Sequence, residues 1–439
     1  MNTVRANWER FLIAAGIALY IFAFPHGIHG DGAVRYDALL RLLHEGRFSP
    51  MLYSYVGPIF SAALLPLGWL YKDGFWWVSR FNTFLFLLIA FVTARQFRIR
   101  WGEGAARSFL LLLFCATMFP RHVTDYYSEV FSACLAFLAI LQFQEGRGLL
   151  SVIFLSLSVW NTPGSALGGG LMLLFFAIRS RRWRYAAAIG IMALGLFAEN
   201  YLKFGNFLVP DAYLGMEGFH NYLPYSGGPG FSYPLFFGLL SVFFSFGKGL
   251  IFFMPGLFAF FWPGWSAQSE KDREVLWAGW IYLAGLLLVF SRWWSWYGGW
   301  FWGPRFFLFG SLLAVWGLAA LLRSRRLGPG WNFFLLISLA ISLWAGCQGV
   351  MWGQDFLEDC YVRDPKLEFI CNYVPEYSVL WRVFVVWPPL QGRRMLFLVY
   401  FLMVSGTLLS GSAASLLGLL RDRARDWLRR YGAISGWRF

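Results

Sequence analysis

The chain has 439 residues, 58% of them apolar and 14% charged, with a formal net charge of +14. A soluble domain carries about a quarter charged residues, so this chain has too little polar surface to cover itself in water. Its arginines fall in short clusters between apolar segments and form no continuous basic face, which excludes a nucleic-acid binder.

The pattern predicts an all-α polytopic membrane protein. It forms a single transmembrane unit over residues 1–439, with no room for a separate soluble domain. The first apolar stretch, 11–24, is followed by no small-residue cleavage site and is expected to be retained. Basic clusters lie at Arg5 and Arg10, at Arg95 to Arg107, at Arg147, at Arg179 to Arg184, at Lys271 and Arg273, at Arg323 to Arg326, and in the tail from Arg421. Basic loops sit on the cytoplasmic side, so an even number of spans should separate neighbouring clusters.

That parity decides the reading of the first hundred residues. Stretches 11–24 and 75–94 read as spans. Between them, 56–71 is short and interrupted by Gly57, Pro58, Pro66 and Gly68. It is expected to lie at the interface or re-enter, which leaves 26–74 as one outer loop. Spans near 108–119 and 129–143 flank an outer turn at 120–128. Spans near 149–161 and 165–178 follow. A span at 185–200 leads to the outer loop 201–249, whose apolar stretch 233–246 again reads as interfacial. Spans 250–264 and 275–290 precede the outer stretch 291–304. Spans at 305–322 and 331–346, the outer loop 347–394 and a span at 395–420 complete the chain. The expected count is twelve, with both termini cytoplasmic.

Of the five cysteines, Cys115 and Cys134 lie in apolar runs and read as core residues. Cys360 and Cys371 share one polar loop and could pair if that loop faces an oxidising compartment. No phosphate-cradling GxxxxGK[ST] loop occurs, which disfavours nucleotide-driven chemistry on the cytoplasmic side.

Candidate chemistry gathers in the outer segments. Asp31, in His29-Gly30-Asp31-Gly32 with Arg35 nearby, sits at the outer end of the first helix, where a carboxylate can serve as a general base. Arg121, Asp125 and Glu129 form a second group. The two acids are four apart and would share a face if a helix began there. The run from Arg292 to Arg305 holds Trp296, Tyr297 and a Gly-Gly pair. An aromatic floor beside arginine suits a sugar and an anionic phosphate. Lys248, between two glycines, reads either as a phosphate ligand at a helix start or as a snorkelling lysine. The acids Asp355, Glu358, Asp359, Asp364 and Glu368 read as a solvated loop or as a site for an acceptor or a cation, and His220 is equally open.

With these residues in view, the chain resembles the GT-C superfamily of membrane glycosyltransferases, which includes aminoarabinose transferases and protein O-mannosyltransferases. The resemblance rests on Asp31 just after the first helix, a helix at 33–46, the stretch Tyr53-Ser54-Tyr55-Val56-Gly57-Pro58 leading into 59–71, and the acids Asp125 and Glu129. Gly247-Lys248-Gly249-Leu250 and Trp296-Tyr297-Gly298-Gly299 with Gly303-Pro304-Arg305 look like stretches of uncharacterised bacterial members. The resemblance implies an inverting glycosyltransferase of a bacterial inner membrane, acting on the outer face. Its donor would be a polyprenyl-phosphate-linked sugar and its acceptor a glycan, a lipid or a protein, with membrane lipids around it.

In that reading Asp31, Asp125 and Glu129 are the catalytic group. Arg35, Tyr55, Arg121, Lys248, Arg292, Trp296, Tyr297 and Arg305 bind substrate and phosphate. No metal is assigned, although the three acids could take a divalent cation, Mg or Mn. A transporter or flippase of a lipid-linked saccharide is the alternative. Transporters show paired broken helices and midplane charges, and here the ionisable residues cluster at the outer ends.

Overall fold

The computed structural model describes residues 2–432, apart from 208–221, 224–227, 229, 300, 325–326, 354 and 358–363. His220, Glu358, Asp359 and Cys360 therefore lie outside the described residues. The described chain is helical, without strands.

The first helix, α1 (Asn2–Ala18), runs on through a π-helical turn, Leu19–Ala23. Next come α2 (Asp31–Glu45), α3 (Val56–Ala62), the 3-10 turn Leu65–Trp69 and α4 (Gly74–Val78). The chain continues through α5 (Phe81–Trp101), α6 (Glu103–Cys115), α7 (Phe119–His122), α8 (Ser128–Gln144), α9 (Gly148–Asn161), α10 (Ala166–Ser180) and α11 (Arg184–Phe204). Beyond it lie α12 (Leu235–Phe244), α13 (Leu250–Phe253), α14 (Glu270–Phe290), α15 (Phe309–Arg323), α16 (Pro329–Trp352), α17 (Glu368–Tyr373) and α18 (Arg393–Gly432).

Six of these stretches are long and apolar enough to cross a bilayer: Thr3–Ala23, Phe81–Trp101, Arg184–Phe204, Glu270–Phe290, Pro329–Trp352 and Arg393–Arg421. At 1.5 Å per residue a 21-residue helix reaches about 32 Å, the depth of the hydrocarbon core. Five of the other expected spans are shorter helices, α6, α8, α9, α10 and α15. Of these, α8 and α15 are buried around nearly their whole circumference, as helices apolar on every side should be.

The remaining expected span, 250–264, is not a continuous helix. Pro255 and Pro263 lack the N–H an α-helix needs, and the chain takes 3-10 turns at Pro255–Phe261 and Pro263–Ala267. The first turn packs on α15, where a Cβ at Gly256 would lie 2.7 Å from the Ala314 carbonyl. The span read at 75–94 begins instead at Phe81. The Asp73 carboxylate accepts the Trp76 N–H at 2.8 Å and starts α4 as a separate turn. Segment 56–71 is broken into α3 and a 3-10 turn, in keeping with its short apolar length. Cys115, Cys134 and Cys347 are buried free thiols, and Cys371 is disulfide-bonded.

Candidate active site

The site begins where α1 gives way to α2. The Gly27 N–H donates to the Thr124 carbonyl at 2.9 Å, forming a short parallel bridge between the segment after α1 and the 121–129 turn. Gly30 caps α2 at φ 52, and a Cβ there would lie 2.8 Å from the Tyr127 hydroxyl. Only glycine meets both demands. The result puts Asp31 in the first turn of α2, beside the start of α8.

Arg305 arrives from 274 residues further along the chain. Its Nη1 lies 2.9 Å from Asp31 Oδ2 and its Nε 3.6 Å from Glu129 Oε1. The guanidinium also lies over the Tyr127 ring, 5.3 Å from its centroid. Burial alone would lower the Arg305 pKa, but the Glu129 and Asp31 charges reverse that and hold it above the ordinary arginine value. The Tyr53 hydroxyl faces Asp31. Burial first, then the Asp31 charge and hydrogen bond, raise its pKa, so it stays a neutral donor.

A second cluster adjoins the first. Arg121 Nη1 lies 2.6 Å from Asp125 Oδ2, and His29 Nδ1 lies 3.4 Å from Asp125 Oδ1. The hydrogen bond to Asp125 raises the His29 pKa, against a smaller effect of burial. Asp125 and Glu129 do not share a helical face. The helix starts at Ser128, and the two acids meet different arginines.

The other sequence candidates divide between supporting and remote positions. Arg35 is buried and donates from Nη2 to Asn161 Oδ1 at 2.6 Å, and the same oxygen accepts the Gly57 N–H at 3.0 Å. Tyr55 turns its hydroxyl to Ser49, donating to its carbonyl at 3.0 Å, and does not reach Asp31. Its N–H is held by Glu199 of α11 at 2.7 Å. Trp296 and Tyr297 are buried, and Tyr297 donates to Glu368 Oε2 at 2.9 Å. Arg292 is exposed and stands apart from both clusters.

Lys248 faces backbone, not open space for a phosphate. Its Nζ donates to the carbonyls of Gly299 at 3.3 Å and Gly303 at 3.2 Å, and to that of Phe301. It therefore clasps the loop that delivers Arg305. Tyr53 is the contact that sequence reasoning missed. Its only signal was membership of the same Tyr-Ser-Tyr stretch as Tyr55.

The acids do not converge as a cation site. Asp31 and Glu129 share Arg305, and Asp125 is paired with Arg121. Among the described residues no three His, Cys, Asp or Glu side chains are grouped to hold a metal ion. This donor set, its carboxylates already paired with arginines, does not fit the divalent cation considered from the sequence.

Helices and site together define a polytopic all-α membrane protein with a carboxylate–arginine cluster at one end of the bundle. No family model and no curated relative matches the chain. Among solved structures it is similar to ArnT from Cupriavidus metallidurans bound to undecaprenyl phosphate. The two are 17% identical with a TM-score of 0.51, over 93% of this chain and 78% of that one. The apo form of ArnT aligns at 16% identity with a TM-score of 0.49. At 17% identity the likeness to the undecaprenyl phosphate-bound form speaks for the fold alone.

Proposed function

We propose that the protein is a glycosyltransferase that takes a sugar from a polyprenyl-phosphate-linked donor and passes it, with inversion, to an acceptor hydroxyl on the extracytoplasmic face of a bacterial inner membrane. The carrying observation is the Asp31–Arg305–Glu129 cluster, set at the end of a bundle whose fold is shared with a protein crystallised with undecaprenyl phosphate. The disulfide at Cys371 supports an oxidising compartment on the side of its loop.

In this reading Asp31 accepts the proton of the acceptor hydroxyl as that oxygen bonds to the anomeric carbon. The bond from the anomeric carbon to the phosphate oxygen breaks, and polyprenyl phosphate leaves with the electron pair. Arg305 stands beside Asp31 to meet the charge left on the phosphate. Tyr53 and Tyr127, both neutral, supply hydroxyls around the same point. Arg121 and Asp125 border the space an acceptor would occupy.

The test is turnover of an undecaprenyl-phosphate-linked sugar by the purified protein in detergent, with Asp31→Asn as the control. Release of undecaprenyl phosphate by the wild type and its loss in the variant are expected. Movement of intact lipid-linked sugar across a liposome bilayer without cleavage would assign the chain to the flippases instead.

A further inference from the structure

Two cavities open at the end of the bundle that holds Asp31. One, of about 580 Å³, is lined by His29, Arg121, Asp125 and Tyr127 and belongs to the site already described. The other, of about 720 Å³, has none of His29, Arg121, Asp125 or Tyr127 in its lining. Pro25 and Arg393 line both, so the second cavity lies alongside the first as a separate chamber.

The second chamber is built from three cations on three elements. Lys72 comes from the turn before α4, Arg80 from the start of α5 and Arg393 from the start of α18. Its one lining carboxylate, Asp73, accepts the Trp76 N–H on Oδ1, and against three cations it leaves the lining with a net positive charge. His26 adds no charge at neutral pH. Its burial, then the Arg80 charge, push its pKa down to about 4.

Arg80 is the fixed member. The residue is 9% exposed, and its guanidinium lies over Trp76, 3.9 Å from the ring centroid. Nε donates to the Ile21 carbonyl at 2.8 Å, and Nη1 to the Trp76 carbonyl at 2.9 Å and Ser79 Oγ at 3.1 Å. Nη2 makes no hydrogen bond among the described residues. A buried guanidinium held on two nitrogens with the third left open is preorganised for an oxyanion. Lys72 adds a second sign of constraint, at φ 61 in the left-handed region.

The walls are not those of a site for a free ion. Phe22, Tyr71, Phe75 and Trp76 line the chamber, and Phe22, Tyr71 and Phe75 are exposed. Trp69 and Leu70 continue the apolar surface next to it, at 79% and 59% exposure. An anion on the cations would be covalently continuous with apolar matter on that surface.

We propose that this chamber binds an anionic phospholipid, its headgroup phosphate on Arg80, Lys72 and Arg393 and its acyl chains along Phe22, Leu70 and Phe75. The ligand is separate from donor and acceptor, so the inference does not depend on the transferase reading.

The experiment is native mass spectrometry of the delipidated full-length protein with phosphatidylglycerol, chain-matched phosphatidylcholine or inorganic phosphate. Retention of phosphatidylglycerol roughly tenfold over phosphatidylcholine is expected. The double variant Lys72→Gln, Arg393→Gln should remove most of that preference, while Arg292→Gln, exposed and outside the chamber, should keep it. Both sites in the double variant are exposed, which leaves Arg80 and its structural contacts intact. Equal retention of the two lipids, or a preference that survives the double variant, overturns the proposal. Displacement of phosphatidylglycerol by millimolar inorganic phosphate overturns the lipid assignment in favour of a free anion.

Discussion

Arg305 Nη1 meets Asp31 Oδ2 at 2.9 Å across 274 residues of chain. The arginine therefore has two neighbours to satisfy before any donor phosphate arrives, Asp31 on one edge and Glu129 on the other. Its side chain is 14% exposed, so neither interaction is a solvent-screened surface pair.

Removing the arginine should be worse than removing one acid. Arg305→Ala leaves two carboxylates facing each other without their counter-charge, at a cost of about 3–5 kcal/mol. Asp31→Asn keeps a hydrogen-bonding side chain, and its melting temperature should move little, while turnover should fall by about 10²–10⁴-fold, the range for loss of a general base. Thermal melting and donor turnover measured on the same preparations check both. A folded Asp31→Asn variant with wild-type turnover removes Asp31 from the chemistry.

The loop before Arg305 allows a cleaner comparison. Gly298 and Gly299 both have left-handed φ, 77° and 64°. A Cβ on Gly299 meets nothing within 4 Å, whereas one on Gly298 would lie 2.8 Å from Arg305 Cγ. Each alanine substitution should cost about 1–2 kcal/mol in backbone strain. Only Gly298→Ala should also displace Arg305 and depress turnover. Equal turnover in the two variants would show that the Arg305 side chain yields without consequence.

Lys248 should make stability depend on pH. Burial pushes its pKa down to about 7, from an ordinary lysine value of about 10.4. Between those values the unfolded chain binds more protons than the folded one, so stability rises with pH across that window. The stabilisation is complete above about pH 10.4 and is lost as pH falls to about 7. Lys248→Met should flatten that part of the melting-temperature profile. A profile with the same slope in the variant would trace the effect to another group.

Asn161 joins two segments that frame the site. Its Oδ1 accepts from Arg35 and from the Gly57 N–H, and its Nδ2 donates to the Ser128 carbonyl at 2.9 Å. Asn161→Ala strands a buried guanidinium and should destabilise the protein by about 2–3 kcal/mol. Asn161→Asp keeps the acceptor and should recover part of the loss. The melting temperatures of the two variants decide it, and an alanine variant as stable as the wild type would rule out this role.

Much of this was legible in the sequence, and the failures have physical causes. Asp31, Asp125, Glu129, Arg121 and Arg305 were all singled out, because charges between apolar segments stand out against a low background. The pairing among them was not, since it depends on the Gly27–Thr124 bridge and on α8 starting at Ser128. Tyr55 was preferred to Tyr53 because nothing local separates them. Glu199, 144 residues away, grips the Tyr55 N–H and fixes which hydroxyl turns to Asp31. Arg292 and Arg305 flank the same aromatic run, and only the clasp of Lys248 on the 299–303 carbonyls shows which one is delivered. The stretch 250–264 was legible as apolar but not as broken: Pro255 and Pro263 divide it into 3-10 turns, which hydropathy alone does not register.

The distance along the chain between Asp31 and Arg305 also sets a clock. At a synthesis rate of about 5–20 residues per second, roughly 14–55 s pass between the emergence of the acid and of its arginine. Through that interval Asp31, joined by Glu129 once residue 129 is made, stands without the shared counter-charge. A nascent chain stalled short of residue 305 holds both carboxylates and neither of their contacts to the guanidinium, so the cluster is among the late events in this protein's maturation.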